Sequence, residues 1–198
     1  KVRGKPLIEH VLNRIEAIGT TRTFIAVHYL ADQIKDFVEK TGRSKTAELI
    51  YENEPLGTAG AIGMLPEFGS GDLLVTNSDV VTGMDYGIFS KHHQRSGFDA
   101  TIAVANHRIQ IPFGVIKHSN NGDFLCLEEK PILSNYVAAG VYCLSSSFRN
   151  LVYENEKIDM PDLLERGRKK GLTIGVFPIH EEWRDVGRPE DFEASQKY

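Results

Sequence analysis

The apolar positions of the first half alternate between two periods. Leu7, Ile8, Val11, Leu12, Ile15 and Ile18 recur at helical spacing, with Pro6 suited to a first turn and Gly19 to a stop. Residues 23–28 read as a strand, and residues 30–40 as a second helix with Ile34, Phe37 and Val38 on its buried face. A strand over 47–52, a short helix over 58–65 and a fully buried strand over 73–75 follow. Asp85 is placed to cap a helix running to about Arg95.

This rhythm predicts right-handed crossovers and a mostly parallel sheet with helices on both faces. The central strands are short apolar runs, as expected where both faces are covered. The second half changes style. Residues 100–104, 114–117, 124–127, 136–144 and 172–177 are strand-like, and Asn120-Asn121-Gly122-Asp123 marks a hairpin turn. Helical stretches are expected near Phe148, over 161–170 and over 189–197. One mixed α/β domain spanning 1–198, with an antiparallel elaboration, is the economical expectation. In an open sheet of this kind ligands bind beyond the carboxyl ends of the strands, so residues just after strands are the candidates for chemistry.

Composition narrows the function classes. The 198 residues are 41% apolar, enough for a sizeable core. Lys and Arg number 23 against 27 Asp and Glu, a net charge of −4 without a basic block, so nucleic acid is not an expected partner. Two cysteines, Cys126 and Cys143, make no disulfide framework and point to a reducing compartment. No apolar run approaches the roughly 20 residues of a membrane span, and no signal-peptide pattern opens the sequence. The expectation is a soluble, cytoplasmic domain with no membrane partner, free to form a homo-oligomer.

Three stretches carry candidate chemistry. Glu54-Pro55-Leu56-Gly57-Thr58-Ala59-Gly60 joins a strand to a helix. Its glycines permit a tight turn and close backbone approach, and the helix start offers N–H groups to a phosphate or base edge. The plain alternative is a strand-to-helix turn capped by Thr58. Leu73-Leu74-Val75-Thr76-Asn77-Ser78-Asp79 puts a carboxylate just past a strand, where a hard cation bridging phosphate oxygens needs an oxygen ligand. Asp185, in Trp183-Arg184-Asp185-Val186-Gly187, is a second such carboxylate. Each is equally readable as a turn or cap residue. Leu127-Glu128-Glu129-Lys130-Pro131 ends a strand with a base able to neutralise a phosphate and acids able to accept from hydroxyls, or it is a solvated charge cluster. His28, His92 and His93 show no metal-ligand spacing and read as surface or partly buried residues.

Taken in order, these pieces resemble the sugar-1-phosphate nucleotidylyltransferases, in their mannose-1-phosphate guanylyltransferase-like branch. The resemblance rests on Gly4 to Leu12, Pro55 to Gly60, Thr76 to Asp79 and Ile111 to Val115. It continues through Glu128 to Pro131, Ala139 to Tyr142 and Trp183 to Asp191. It implies a Rossmann-like mixed sheet. It also implies attack of a sugar-1-phosphate oxygen on the α-phosphorus of a nucleoside triphosphate, with release of pyrophosphate and a product similar to GDP-mannose. Asp79 and Asp185 would hold Mg²⁺. Lys130 would meet the sugar phosphate and Glu129 the sugar hydroxyls, and Gly114 would let the sugar approach the backbone. Pro55, Leu56, Gly57, Thr58, Ala59 and Gly60 would contact the nucleotide, with Asn77, Ala139 and Gly140 completing the substrate surface. The rival expectation is a silent, nucleotide-sugar-binding regulatory subunit of the same fold.

Two departures qualify the resemblance. The family's first strand and Gly-rich loop, which wrap the triphosphate, have no counterpart here, and Lys5-Pro6 aligns with a second, downstream Gly-Lys-Pro. The chain is therefore expected to be N-terminally incomplete and, alone, a weak or inactive catalyst. Ala138 also stands where the family commonly has Asn, which blurs the sugar assignment.

Overall fold

The N-terminal helical period becomes α1 (Leu7–Ala17), which buries Val11 and Leu12. In the computed structural model, which describes residues 4–67 and 71–187, α1 is followed by β1 (Thr23–Val27), α2 (Ala31–Lys40) and β2 (Ala47–Tyr51). The predicted helix over 189–197 lies outside the described residues. β1 and β2 pair in parallel, from Thr23 opposite Ala47 to Val27 opposite Tyr51, so α2 is a crossover helix. Only Val38 of α2 is buried. Ile34 and Phe37 are half-buried, because a two-stranded floor is too narrow to cover the whole stripe.

The chain continues through α3 (Gly57–Gly60), a 3-10 turn (Ala61–Met64), β3 (Leu73–Thr76), β4 (Val80–Thr82) and α4 (Tyr86–Ser96). Asp85 caps α4 as expected, its Oδ1 accepting from the Gly87 and Ile88 N–H groups at 2.7 and 3.0 Å, an arrangement worth about 1 kcal/mol. The remaining elements are β5 (Ala100–Gln110), β6 (Val115–His118), β7 (Phe124–Glu128), β8 (Ile132–Leu144), α5 (Ser146–Arg149), α6 (Met160–Lys169), β9 (Ile174–Ile179) and β10 (Trp183–Asp185). β6 and β7 form the expected hairpin, turned at 119–123.

The four-stranded sheet has the order β3-β8-β5-β9. β5 and β9 are parallel, whereas β8 runs antiparallel to both its neighbours. The antiparallel elaboration thus reaches into the middle of the sheet, and the parallel share is smaller than the helix–strand rhythm suggests. The physical reason is that β8 returns from the hairpin rather than from a crossover helix. β5 and β8 also run longer than their apolar patterns. Their outer parts, around 106–110 and 132–136, are exposed, and Ile109, Ile132, Leu133 and Tyr136 stand there without the alternation of a half-buried strand.

Two apolar clusters cover the two faces of this sheet. Tyr142 and Leu144 of β8 point to one, with Phe148, Met160 and Leu163. Ala139, Val141 and Cys143 point to the other, with Phe89 and Ile179. The alternation is that of a strand buried on both sides. β3 departs from expectation, being half-buried along its whole length, because among the described residues only its β8 edge is paired. His93 departs in the other direction. It is 2% exposed, with Nδ1 2.8 Å from the Thr101 hydroxyl, because it lies on the face of α4 packed against β5. Burial pushes its pKa down, against the opposing pull of Asp72.

Candidate active site

β3 ends at Thr76 and the chain turns through Asn77, Ser78 and Asp79 into β4, which pairs antiparallel with β10, Asp185 lying opposite Val80. This small ribbon, rather than a shared main sheet, brings the two predicted carboxylates together. The Val186 N–H donates to the Asp79 carbonyl at 2.9 Å, and the Gly187 N–H donates to Asp185 Oδ1 at 3.0 Å. A methyl group placed on Gly187 would lie 3.0 Å from Asp79 Oδ2 and 3.1 Å from Asp185 Oδ1, so both carboxylates border one point. Burial pushes the Asp79 carboxyl above the usual range, and the neighbouring Asp185 charge adds to the shift. Two half-buried carboxylates that repel one another suit a divalent cation completed by phosphate oxygens and water. Among the described residues no cluster of three or more His, Cys, Asp or Glu offers a cation site made by protein alone.

The carboxylate turn is held against β8 by a bulge. Between Ile102 and Val104 of β5 the register with β8 shifts, leaving Ala139, Gly140 and Val141 opposite Ala103. Gly140 takes a left-handed φ of +72°, and its carbonyl accepts from the Asn77 N–H at 2.8 Å. A Cβ there would meet Val80 at 2.8 Å and the Asn77 amide at 3.0 Å, so no larger residue fits. Trp183 Nε1 donates to the Ala139 carbonyl at 2.9 Å and ties β10 to the same bulge. Ala139 and Gly140, expected on the substrate surface, are both buried, and their carbonyls accept from Trp183 and Asn77.

The loop at 54–60 corrects a second expectation. Two of the N–H groups at the start of α3 are engaged within the protein. The Thr58 N–H donates to Asp159 Oδ1 at 2.9 Å, and the Ala59 N–H to the Ile158 carbonyl at 3.0 Å. In return the Met160 N–H donates to the Thr58 hydroxyl at 2.8 Å. Thr58 therefore caps α6 rather than its own helix, and Asp159 serves α3. Gly57, at φ +80°, is required by this docking, since a Cβ would lie 2.7 Å from Asp159 and from the Ile158 carbonyl. Leu56, Ala59 and Gly60 are buried, so the loop presents Pro55, Gly57 and Thr58 to any ligand.

Gly114, Glu129 and Lys130 form a third group, at the open end of the β6–β7 hairpin. A Cβ on Gly114 would lie 3.0 Å from Glu129 Oε2, and the Lys130 N–H donates to the Phe113 carbonyl at 3.3 Å. Lys130 sits at φ +48°, a conformation rare for a side-chain-bearing residue. All three residues are exposed. Among the described residues no hydrogen bond or ion pair links Glu129 or Lys130 to Asn77, Asp79 or Asp185, so the structure shows two separate groups. Sequence reasoning missed Asp159, Trp183 and Gly187. Asp159 before Met160-Pro161 is a readable helix start, but its role 101 residues away is not.

A family model described as nucleotidyl transferase matches residues 1–198. The chain is 28% identical over 200 residues to the Drosophila melanogaster mannose-1-phosphate guanylyltransferase catalytic subunit beta, covering 96% of this chain and 53% of that protein. It is 30% identical over 203 residues to the mannose-1-phosphate guanyltransferase of Yarrowia lipolytica, covering 96% and 54%. The chain thus spans about half the length of the curated relatives it matches. Its fold is similar to that of HddC from Yersinia pseudotuberculosis (TM-score 0.75, 23% identity, 100% of this chain and 87% of that one). It is equally similar to a putative glucose-1-phosphate thymidylyltransferase from Bacillus anthracis (TM-score 0.75, 18% identity, 99% and 83%).

Proposed function

The chain belongs to the nucleotidyl transferase family, and from that premise we propose that it joins a sugar-1-phosphate to a nucleoside triphosphate, with GTP and mannose-1-phosphate as the favoured pair. A phosphate oxygen of the sugar-1-phosphate attacks the α-phosphorus. The bond from that phosphorus to the β-bridging oxygen breaks, and pyrophosphate leaves with the electron pair. The observation that carries the reading is the convergence of Asp79 and Asp185 beside Gly187. Such a transfer between polyanions is promoted mainly by positioning and charge neutralisation. The carboxylate pair suits Mg²⁺, which when bound would offset negative charge on the phosphates.

The chain's own residues orient the reactants. Asn77 and the Gly140 bulge fix the turn carrying Asp79, while Trp183 fixes the strand carrying Asp185. Pro55, Gly57 and Thr58 form the exposed nucleotide wall. Lys130 meets the sugar phosphate, Glu129 accepts from sugar hydroxyls, and Gly114 leaves room for the ring. A cytoplasmic setting belongs to the same proposal. It is supported by two unpaired cysteines, and among the described residues no helix is long and apolar enough to cross a membrane.

The test combines pyrophosphate release over a panel of nucleotide and sugar-phosphate pairs with equilibrium binding of GDP-mannose. The chain alone is expected to release pyrophosphate slowly, fastest with GTP and mannose-1-phosphate, and Asp79→Asn and Asp185→Asn are expected to weaken Mg²⁺-dependent GDP-mannose binding and any release at least about tenfold; a factor of ten corresponds to about 1.4 kcal/mol. Absence of both release and GDP-mannose binding overturns the reading. A faster rate with another pair overturns its substrate assignment.

A further inference from the structure

The turn that presents Pro55, Gly57 and Thr58 has a buried part and an exposed part, and the two are held differently. Leu56 and Ala59 are buried, and backbone bonds fix them. The Ile158 N–H donates to the Leu56 carbonyl at 2.9 Å, and the Ala59 N–H donates to the Ile158 carbonyl at 3.0 Å. Gly57 and Thr58 are exposed and lie outside that packing. Asp159 Oδ1 accepts from the Thr58 N–H at 2.9 Å and from the Thr58 hydroxyl at 3.3 Å. The same oxygen stands 2.7 Å from the place that a Cβ on Gly57 would take. The carboxylate does not cap α6, whose first residue, Met160, donates its N–H to the Thr58 hydroxyl instead. Among the described residues Asp159 is therefore the one side chain beyond the turn that bonds to its exposed part.

We propose that Asp159 is a positioning residue for the nucleotide. By accepting from the Thr58 N–H and hydroxyl, it holds the backbone of Gly57 and Thr58 in the conformation that meets the ligand. The proposal rests on the reading of Pro55, Gly57 and Thr58 as the nucleotide wall, and it names what keeps that wall in place. Gly57 stands at φ +80°, and a glycine released from its neighbours populates many other conformations. Without the carboxylate the ligand itself must order the turn, and that ordering is subtracted from its affinity. The geometry calls for an acceptor at Oδ1, which an asparagine also supplies and an alanine does not. The effect belongs to the nucleotide end. Among the described residues no hydrogen bond links the turn to Gly114, Glu129 or Lys130, so the sugar end does not feel the loss.

The experiment measures equilibrium binding of GDP and of GDP-mannose, with Mg²⁺, to the 198-residue chain as wild type, Asp159→Ala and Asp159→Asn, well below each Tm. Amide hydrogen exchange is followed on the same samples. Asp159→Ala is expected to weaken both ligands by one common factor of about three to ten, the range of a lost capping bond, and to speed exchange at Thr58 while β5 and β8 stay unchanged. Asp159→Asn is expected to bind both ligands within about twofold of wild type. Three results overturn the proposal. Unchanged affinity in Asp159→Ala, although exchange at Thr58 quickens, limits the residue to folding the turn. A loss for GDP-mannose but not for GDP places it at the sugar end. A loss in Asp159→Asn equal to that in Asp159→Ala assigns the effect to the charge. A wild type that binds neither ligand overturns the nucleotide reading itself and this proposal with it; that outcome is distinct, because the other three all require a wild type that binds.

Discussion

Gly167→Ala sets two well-characterised effects against each other on one residue. Alanine is favoured over glycine within a helix by about 0.8–1.0 kcal/mol, and Gly167 lies inside α6. The added methyl, however, would sit 2.2 and 2.3 Å from two carbons of the Phe148 ring. Carbon atoms in good contact stand about 3.5–4.0 Å apart, so the ring must retreat by more than about 1 Å. Phe148 is 0% exposed within its apolar cluster and has no solvent to retreat into. Overpacking of this kind costs about 1–3 kcal/mol, and a displacement this large belongs at the upper end. The net expectation is a loss of about 1–2 kcal/mol, which for a chain of this size lowers Tm by about 2–8 °C. Thermal melts of the wild type, Gly167→Ala, Phe148→Leu and the double variant read it. In the Phe148→Leu background the alanine should become neutral or stabilising, giving a coupling well above the usual additivity error. A higher Tm for Gly167→Ala alone, or additive single effects, refutes the reasoning.

Gly187→Ala inserts a methyl between the Asp79 and Asp185 carboxylates and moves each by a few tenths of an ångström. Pyrophosphate release should fall about tenfold with Tm unchanged, and unaltered turnover counts against the pair. The Arg166 guanidinium, helped by the Tyr153 N–H, holds the Glu156 carboxyl down to about 2. Because the folded value lies below the unfolded value of about 4.3, this stabilisation is complete above that pH and lost as pH falls toward 2; Glu156→Gln should flatten the acid limb of a Tm–pH profile. Burial pushes the Cys143 thiol up to about 12, whereas Cys126 is exposed. A thiol reagent at about pH 8 should modify Cys126 rapidly and Cys143 only as the chain unfolds; equally fast modification of both would show that the sheet centre opens readily.

The elements that carry their own local code were legible. Period-3.6 apolar spacing gave α1, the Asp85 cap gave the start of α4, and Asn120 to Asp123 gave the hairpin turn. The outer parts of β5 and β8 were not, because an exposed ribbon is stabilised by cross-strand pairing and carries no burial signal. The same division runs through the candidate site. The placement of Asp79 and Asp185 after short strands was readable, but the ribbon that joins them depends on a pairing between residues about a hundred positions apart. Gly60 reads as ligand-facing because nothing local reveals that the 156–159 segment presses against it. Ala139 and Gly140 misled in a similar way. A register shift decides that they are buried, and register is a property of two strands.

The exchange of caps between Thr58 and Asp159 also has a consequence for the order of events on the ribosome. At a synthesis rate of about 5–20 residues per second, Asp159 is made about 5–20 s after Thr58. For that interval the 54–60 turn has neither of its docking partners, although every residue of the turn itself has been made. The first half of the nascent chain can form α1, β1, α2 and β2 from contacts already in hand. The 54–60 turn takes shape only when the distant start of α6 arrives, so the loop is among the last parts of the fold to be set.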